Sequence, residues 1–502
     1  MATNPNFLDD RIDALMSAYT ARAGEPCIVN DIHSRLNETV VRRRVSVRGA
    51  DDIRRALDLA RHESASVSIA GGYHAMGGQQ FATDGLLLDM RAMDRVVSFD
   101  AARGLVEVEA GIQWPALIDA LRRLQRGRDD AWGIAQKQTG ADRMSIGGAV
   151  SANIHGRGLT MKPFVGDVES LTILDANGER IHCSRTENSE LYRLVVGGYG
   201  LFGVIVTVTL RLAPRRKLLR VVEVIDTEEL MPAFERRISE GALYGDFQFA
   251  IDATSDDFLR RGVFATYEPV PDDTPIPRSQ LALSLEDWRE LLVLAHVDKS
   301  RAFDRYASHY LRTTGQLYWS DTHQLASYID DYHVALDRHL GHVHRATEMI
   351  GELYVPRERL SSFLDAARDD LRAHDANVIY GTIRLIERDD ETFLPWARDR
   401  YACVVLNVHT PHTSAGVAHT ADAFRRLIDL AVEREGSFYL TYHRWARRDQ
   451  LLACYPRLPE VRAKKLAYDS GELFQSDWYR DVFRGFNASD PLDRSAVSAP
   501  AR

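Results

Sequence analysis

The chain predicts an α+β protein of two or three domains, and three observations carry that expectation. Its 502 residues exceed what one ordinary core accommodates. From Val40 onward short apolar strands alternate with amphipathic helices. After Pro214 the character shifts to a second set of strands and longer helices, read as an α+β unit with an antiparallel sheet.

Taken in order, residues 1–39 read as an N-terminal arm, amphipathic over Leu8–Tyr19. Val41–Val47 predicts a strand, Ala50–Arg61 a helix with Ile53, Ala56, Leu57 and Ala60 on one face, and Ser66–Ala70 a strand, together a βαβ-like unit. A further apolar run follows at Gly85–Met90. Val96–Phe99 and Val106–Ala110 predict a hairpin, and Trp114-Pro115 opens a helix. Asn177-Gly178 marks a turn between strands Val168–Asp175 and Glu179–Ser184. Gly203–Leu212 alternates as a strand before Pro214.

Beyond it, Leu218–Asp226, Asp246–Asp252, Glu348–Tyr354, Val378–Ile386, Tyr401–His409 and Phe438–Tyr442 predict strands. Glu228–Ser239, Glu286–His296, Arg301–Leu311, Arg357–His374 and His419–Glu433 predict helices, and Pro269–Pro277 an exposed loop. The division expected is 40–214, 215–435, a C-terminal segment 436–486 and a frayed tail 487–502.

Composition narrows the function classes. A hydrophobic fraction of 45%, a charged fraction of 27% and a net charge of −9 are those of a globular protein without a large basic face, so no nucleic-acid partner is expected. No apolar window reaches membrane-spanning length and the N-terminus has no signal-peptide pattern, so no membrane association is expected. Four separated cysteines (Cys27, Cys183, Cys403, Cys454) suit a reducing compartment, and a cytoplasmic location is expected.

Three glycine clusters carry the chemistry. Gly71-Gly72-Tyr73-His74-Ala75 follows a strand, and glycine's access to positive φ lets backbone amides converge on an anion, most commonly a diphosphate. Ser145-Ile146-Gly147-Gly148-Ala149-Val150-Ser151-Ala152-Asn153 is a run of small residues that a large planar ligand approaches closely. Gly197–Ile205 is a third cluster feeding a strand. One glycine pair alone is equally a tight turn; the three in sequence are more specific.

In this order the clusters resemble the FAD-binding oxidoreductases of the vanillyl-alcohol oxidase and p-cresol methylhydroxylase superfamily, strongly over residues 40–214 and more loosely beyond. Its members include alditol and aldonolactone oxidases, decaprenylphosphoryl-ribose oxidase and sterol Δ24-reductases. The resemblance implies a two-subdomain FAD-binding domain and an α+β cap over the flavin ring. It places Gly71, Gly72, Tyr73, His74 and Ala75 at the pyrophosphate loop. Ser145, Gly147, Gly148, Ser151 and Asn153 would lie beside the flavin and ribityl chain, and Gly203 and Ile205 on a strand that meets the cofactor. It also implies a covalent flavin bond through His74, with simple hydrogen bonding or packing of that imidazole as the other reading.

Catalytic candidates follow from the same likeness. His155, in His155-Gly156-Arg157-Gly158, either handles substrate or satisfies buried backbone groups. Arg384 matches an arginine that relatives direct at the flavin, where a guanidinium would stabilise negative charge; the accompanying acid position falls on Thr382, so the usual Glu–Arg pair is broken. The other reading of Arg384 is a surface residue on an amphipathic strand. Tyr442 and His443 fall where the C-terminal segment returns to the flavin, and His443 is the expected base for a hydroxyl proton. No metal centre is expected, since His339, His342 and His344 read better as a hydrated helix end.

The leading expectation is FAD-dependent oxidation of a CH–OH group in a polyol, sugar or related polar alcohol, with oxygen or another acceptor taking the electrons. A flavin-dependent C=C reductase and a noncatalytic flavin-binding protein are the alternatives. A homo-oligomer is compatible with the sequence.

Overall fold

Two sheets and a small parallel layer account for the architecture of the computed structural model, which describes residues 26–128, 130–326, 329 and 332–483. The N-terminal arm over Leu8–Tyr19 and the tail 487–502 lie outside the described residues.

The parallel layer holds β1 (Arg43–Ser46), β2 (Val67–Ala70) and β3 (Leu86–Asp89), in the order β1-β3-β2. Helix α1 (Ala50–His62) crosses from β1 to β2 and buries Ile53, Ala56, Leu57 and Ala60, the stripe its sequence spacing predicts. The expected strand Val41–Val47 is interrupted at Arg42. Thr39–Val41 pairs instead with Cys27–Val29 in a separate two-stranded ladder.

The second layer contains β4 (Val96–Asp100), β5 (Leu105–Glu109), β6 (Val168–Leu174), β7 (Arg180–Ser184) and β8 (Val204–Arg211), in antiparallel order β7-β6-β8-β5-β4. Both hairpins read from the sequence are present. Helix α2 (Trp114–Leu124) begins with proline in its first turn, and the short α3 (Ile146–Ala152) is formed by the small-residue run.

The largest sheet is antiparallel and eight-stranded. Its members are β9 (Lys217–Asp226), β10 (Tyr244–Phe249), β11 (Arg261–Val270), β12 (Leu317–Trp319), β13 (Ala346–Pro356), β14 (Val378–Ile386), β15 (Tyr401–Pro411) and β16 (Ser437–Phe438). They are ordered β12-β9-β11-β10-β14-β15-β13-β16. Strand β11 was not anticipated: it lacks a clean period of two because both its faces are largely covered, and pairing with β9 and β10 creates it. The expected strand Phe438–Tyr442 ends after Phe438, where the chain turns away.

Helices, α4 (Thr227–Ser239) and α8 (Leu360–Ala373) among them, cover the two faces of this sheet unequally. On the β13 side, α9 (Ser414–Val432) packs so closely that a Cβ at Gly351 would stand 2.1 Å from the Phe424 ring. The opposite face of β13 presents Glu348, Ile350 and Glu352 to a cavity, as alternation along a strand requires. Helices α5 (Leu285–Val297), α6 (Lys299–Leu311) and α7 (Tyr332–Leu340) stand on that cavity side and contribute Leu291, Phe303 and Tyr332 to its wall.

Candidate active site

A narrow cleft and a wide chamber meet inside the molecule. The cleft, about 100 Å³, is lined by Gly71, Gly72, Ser145, Gly147, Gly148 and Gly203, among others. The chamber, about 460 Å³, lies against the large sheet. His74, Met144 and Thr441 line both, so the two form one path. Their combined size is within the range of cofactor and substrate sites.

The cleft is built by backbone meeting backbone. A Cβ at Gly71 would fall 1.9 Å from Ser145 Oγ, and one at Gly72 would fall 2.2 Å from the Arg143 carbonyl oxygen. Gly147 is equally confined, with Ala110 Cβ 2.8 Å from its Cβ position. These glycines are therefore required because two chain segments touch, and not for positive φ as the sequence suggested. The left-handed position of the loop is taken by Tyr73 (φ 61°), whose hydroxyl bonds Asp89 at 3.2 Å and whose ring packs against Phe81. Gly203 does need glycine's freedom: its φ is 138°, and a side chain would meet the Leu174 carbonyl at 2.8 Å.

Ser145 caps α3 by accepting from the Gly148 amide, and its neighbours Gly147, Gly148 and Ser151 line the cleft. Ala75 and Ile205 line it as well. Asn153 does not. It terminates α3 in a left-handed conformation, donates to Asp389 at 3.0 Å and accepts from the Val165 amide at 2.9 Å. Its side chain holds the 389–392 turn against α3 and, unlike Ser145, Gly147, Gly148 and Ser151, does not line the cleft.

His74 stands at the junction. Its Nδ1 lies 2.8 Å from His33 Nε2, while its buried Nε2 falls outside strict hydrogen-bond geometry and the ring borders the Arg143 carbonyl. Burial, reinforced by neighbouring His33, pushes the imidazole well below its ordinary pKa, so it is neutral near pH 7. A cleft lined by six glycines, with His74 at its mouth, fits the diphosphate and ring of FAD, because backbone from several segments approaches the path closely.

The chamber wall carries a cluster centred on Glu352. Its Oε2 accepts from His155 Nε2 and from the Tyr354 hydroxyl, each at 2.8 Å, and its Oε1 accepts from the Tyr442 hydroxyl at 2.9 Å. Burial alone would raise this carboxyl, but His155, Arg384 and Tyr354 outweigh it and hold it at about 2. Tyr442 moves the other way: burial and the adjacent carboxylate push its phenol well above the ordinary value. The other ring nitrogen of His155 faces the Gly156 carbonyl at 3.1 Å, so both nitrogens are engaged with oxygens.

Glu352 was not a candidate from sequence, because its strand reads as one apolar run broken by acids. The fold supplies what Thr382 lacks. Thr382 pairs with Val405, which pairs with Glu352, so the acid sits in register two strands away. Arg384 pairs with Cys403 in the adjoining row and lines the chamber, buried, with Nε unpartnered. It is no surface residue.

His443 is placed elsewhere. It lines neither cavity and stacks on Phe424 (4.9 Å) and Trp445 (5.2 Å), on the helix-covered side of β13. Burial, then nearby Arg425, lowers it to about 3. The ring expected to supply the base therefore lies between aromatics and faces away from the chamber. The resemblance places these two neighbours at one site, but the turn after β16 sends Tyr442 and His443 to opposite sides.

Comparison with known proteins bears on the cofactor-binding segment. Residues 42–184 match the FAD binding domain family. L-gulonolactone oxidase of Bos taurus is 33% identical over 166 residues, covering 33% of this chain and 36% of that enzyme. Decaprenylphosphoryl-beta-D-ribose oxidase of Mycolicibacterium smegmatis is 32% identical over 163 residues, 32% of this chain and 34% of that one. The chain thus spans about a third of the length of such relatives. L-gulono-1,4-lactone dehydrogenase of Mycobacterium tuberculosis aligns further, 26% identical over 406 residues, 80% of this chain and 86% of the enzyme. With the glycine cleft on the matched segment, the chain carries an FAD binding domain and is similar to FAD-binding oxidoreductases of the vanillyl-alcohol oxidase and p-cresol methylhydroxylase superfamily.

Proposed function

We propose that the protein is an FAD-dependent oxidoreductase that oxidises a CH–OH group of a sugar, polyol or aldonolactone-like substrate. The carrying observation is the continuity of the path: the glycine cleft opens through His74 onto a chamber walled by Glu352, Tyr442 and Arg384. The names of the relatives support the substrate class. In this reading residues 40–214 hold the cofactor, 215–435 form the cap and 436–486 return Thr441 and Tyr442 to the site.

Bound FAD supplies a hydride acceptor at N5; the protein positions the alcohol and takes its proton. The substrate hydroxyl donates to the Tyr442 oxygen as the Tyr442 proton passes to Glu352 Oε1. A carboxylate held at about 2 is a weak base, yet it suffices, since a carbinol oxygen becomes strongly acidic as hydride leaves. His155 and Tyr354 fix that carboxylate by donating to Oε2. Arg384 keeps a buried cation in the chamber for negative charge arising there. Asp246, Gln248 and Asn407 offer polar partners to further hydroxyls of the substrate.

Electrons leave to oxygen or another acceptor. We also propose that His74 tethers the flavin covalently, a reading supported by its neutral imidazole and its place where cleft and chamber meet. Among the described residues no helix is long and apolar enough to cross a membrane. The four cysteines are unpaired, which supports a reducing compartment such as the cytoplasm.

Mixing the yellow protein anaerobically with aldonolactones and polyols, then admitting air, tests the reaction. Bleaching is expected, and recovery of colour on aeration marks oxygen as acceptor. Bleaching only by NADPH, with reduction of an alkene, would replace this reading by a reductase. No redox response to any of these would leave a flavin-binding protein. Acid precipitation tests the tether: a yellow pellet that turns colourless in His74→Ala is expected, and a colourless wild-type pellet sinks it.

A further inference from the structure

A second cluster lies further along the same strand of the chamber wall, and none of the proposed redox chemistry uses it. His296 on α5, Glu348 on β13 and His409 on β15 converge there, each at least nine-tenths buried at the side chain. His296 Nε2 and His409 Nδ1 both stand 3.3 Å from the same oxygen, Glu348 Oε1. The two imidazoles meet edge to face with centroids 5.0 Å apart.

The His409–Glu348 contact is a long hydrogen bond, and both distances also match the spacing of two ligands on a shared cation. A charge-assisted N–H···O⁻ bond is about 2.7–2.9 Å, as in the His155–Glu352 contact at 2.8 Å. Two ligands bound to one zinc at about 2.0–2.1 Å in a tetrahedron stand about 3.3–3.4 Å apart. His296 Nε2 faces Glu348 Oε1 outside strict hydrogen-bond geometry despite its burial. Its other nitrogen, Nδ1, lies 2.8 Å from the Leu292 carbonyl, an acceptor only, which puts the ring proton on Nδ1 and the free lone pair on Nε2, toward the cluster. The Tyr332 hydroxyl donates to Glu348 Oε2, orienting the carboxylate as outer partners of metal ligands do.

We propose that His296 Nε2, His409 Nδ1 and Glu348 Oε1 bind one divalent transition metal, with zinc the best match to a buried His₂Glu set. Three protein ligands leave a fourth position for water or a substrate oxygen, and Glu348 lines the chamber from which either would come. Four residues of strand separate Glu348 from Glu352, about 13 Å at 3.3 Å per residue. The ion therefore does not touch the reacting carbon beside Glu352. It ties α5 to the sheet and presents a Lewis-acidic contact to the far end of an extended polar ligand.

Sequence spacing concealed this site, since its ligands lie 52 and 61 positions apart on three elements. The three histidines that did draw notice are not its ligands, although His342 packs its ring 5.4 Å from His409.

Elemental analysis of the flavin-loaded, full-length protein tests the proposal. About one zinc per chain is expected after growth with zinc, with affinity falling at least about tenfold in His296→Gln and in His409→Gln at unchanged flavin content. Wild-type protein stripped with chelator and given Co²⁺ should develop the intense ligand-field bands of a four-coordinate ion, a readout that needs no variant to fold. Folded wild-type protein that takes up neither metal overturns the site. So does metal uptake that persists unaltered in both glutamine variants, or a Co²⁺ spectrum of six-coordinate type.

Discussion

The cleft and the chamber wall hold their contents by opposite means. In the cleft, room is the controlling quantity: Gly71, Gly72 and Gly147 have no space for a methyl group, and backbone lines the path. In the wall, charge controls: Glu352 is buried yet ionised because His155, Arg384 and two tyrosines surround it. A steric site fails when an atom is added, whereas an electrostatic site fails when a proton or charge is changed at constant shape. The two halves of the proposed reaction, holding a cofactor and moving a proton, should therefore be separable by mutation.

The largest effect is expected from Glu352→Gln, which keeps the shape and removes the charge. Turnover should fall by about 10²–10⁴, the usual worth of a positioned base, while flavin per chain is unchanged. Rapid-mixing measurement of anaerobic bleaching reads the first, and absorbance the second. Loss of flavin together with turnover would break the division between the two regions.

Gly72→Ala is the converse. Its Cβ would press on the Arg143 carbonyl at 2.2 Å, and backbone cannot step aside cheaply. Overpacking of this kind costs about 1–3 kcal/mol, so noncovalent flavin affinity should weaken by about 5- to 150-fold. Reconstitution of apoprotein with FAD, followed by flavin fluorescence, measures it. Molecules that still hold flavin should bleach at the wild-type rate; slow bleaching in them would show that the cleft also shapes the chemistry.

The same contrast explains what was legible in the sequence. Steric sites write themselves in local runs of small residues, so the cleft was visible in Gly71-Gly72 and in Ser145–Ser151, and the helix stripe of α1 and the two hairpins were equally local. The Glu352 cluster joins Glu352 and Arg384, set by register across β13, β15 and β14, to His155 and Tyr442 from irregular segments after α3 and β16. No local spacing encodes it, which is why the acid was sought at Thr382, and why β11, defined by its partners, was missed. Asn153 and His443 show the limit of positional likeness: each lies beside a site residue in sequence, and a left-handed residue or a turn carries it away.

The smallest effect on catalysis is expected at His443, where the change should appear in stability. Its pKa falls from an ordinary 6.5 to about 3 because the folded protein buries it neutral. Between those values the unfolded chain binds a proton that the native state refuses. Stability contributed by the neutral ring is thus complete above about pH 6.5 and is lost as pH falls toward 3, by at most about 1.4 kcal/mol per pH unit. His443→Phe retains the stack on Phe424 and Trp445 and has no such proton. Thermal melts of the variant should fall less steeply than wild type over this window, with bleaching rates at neutral pH within about twofold. If instead bleaching collapses while the melts coincide, His443 acts on the substrate side after all, and the chamber wall has been drawn on the wrong face of β13.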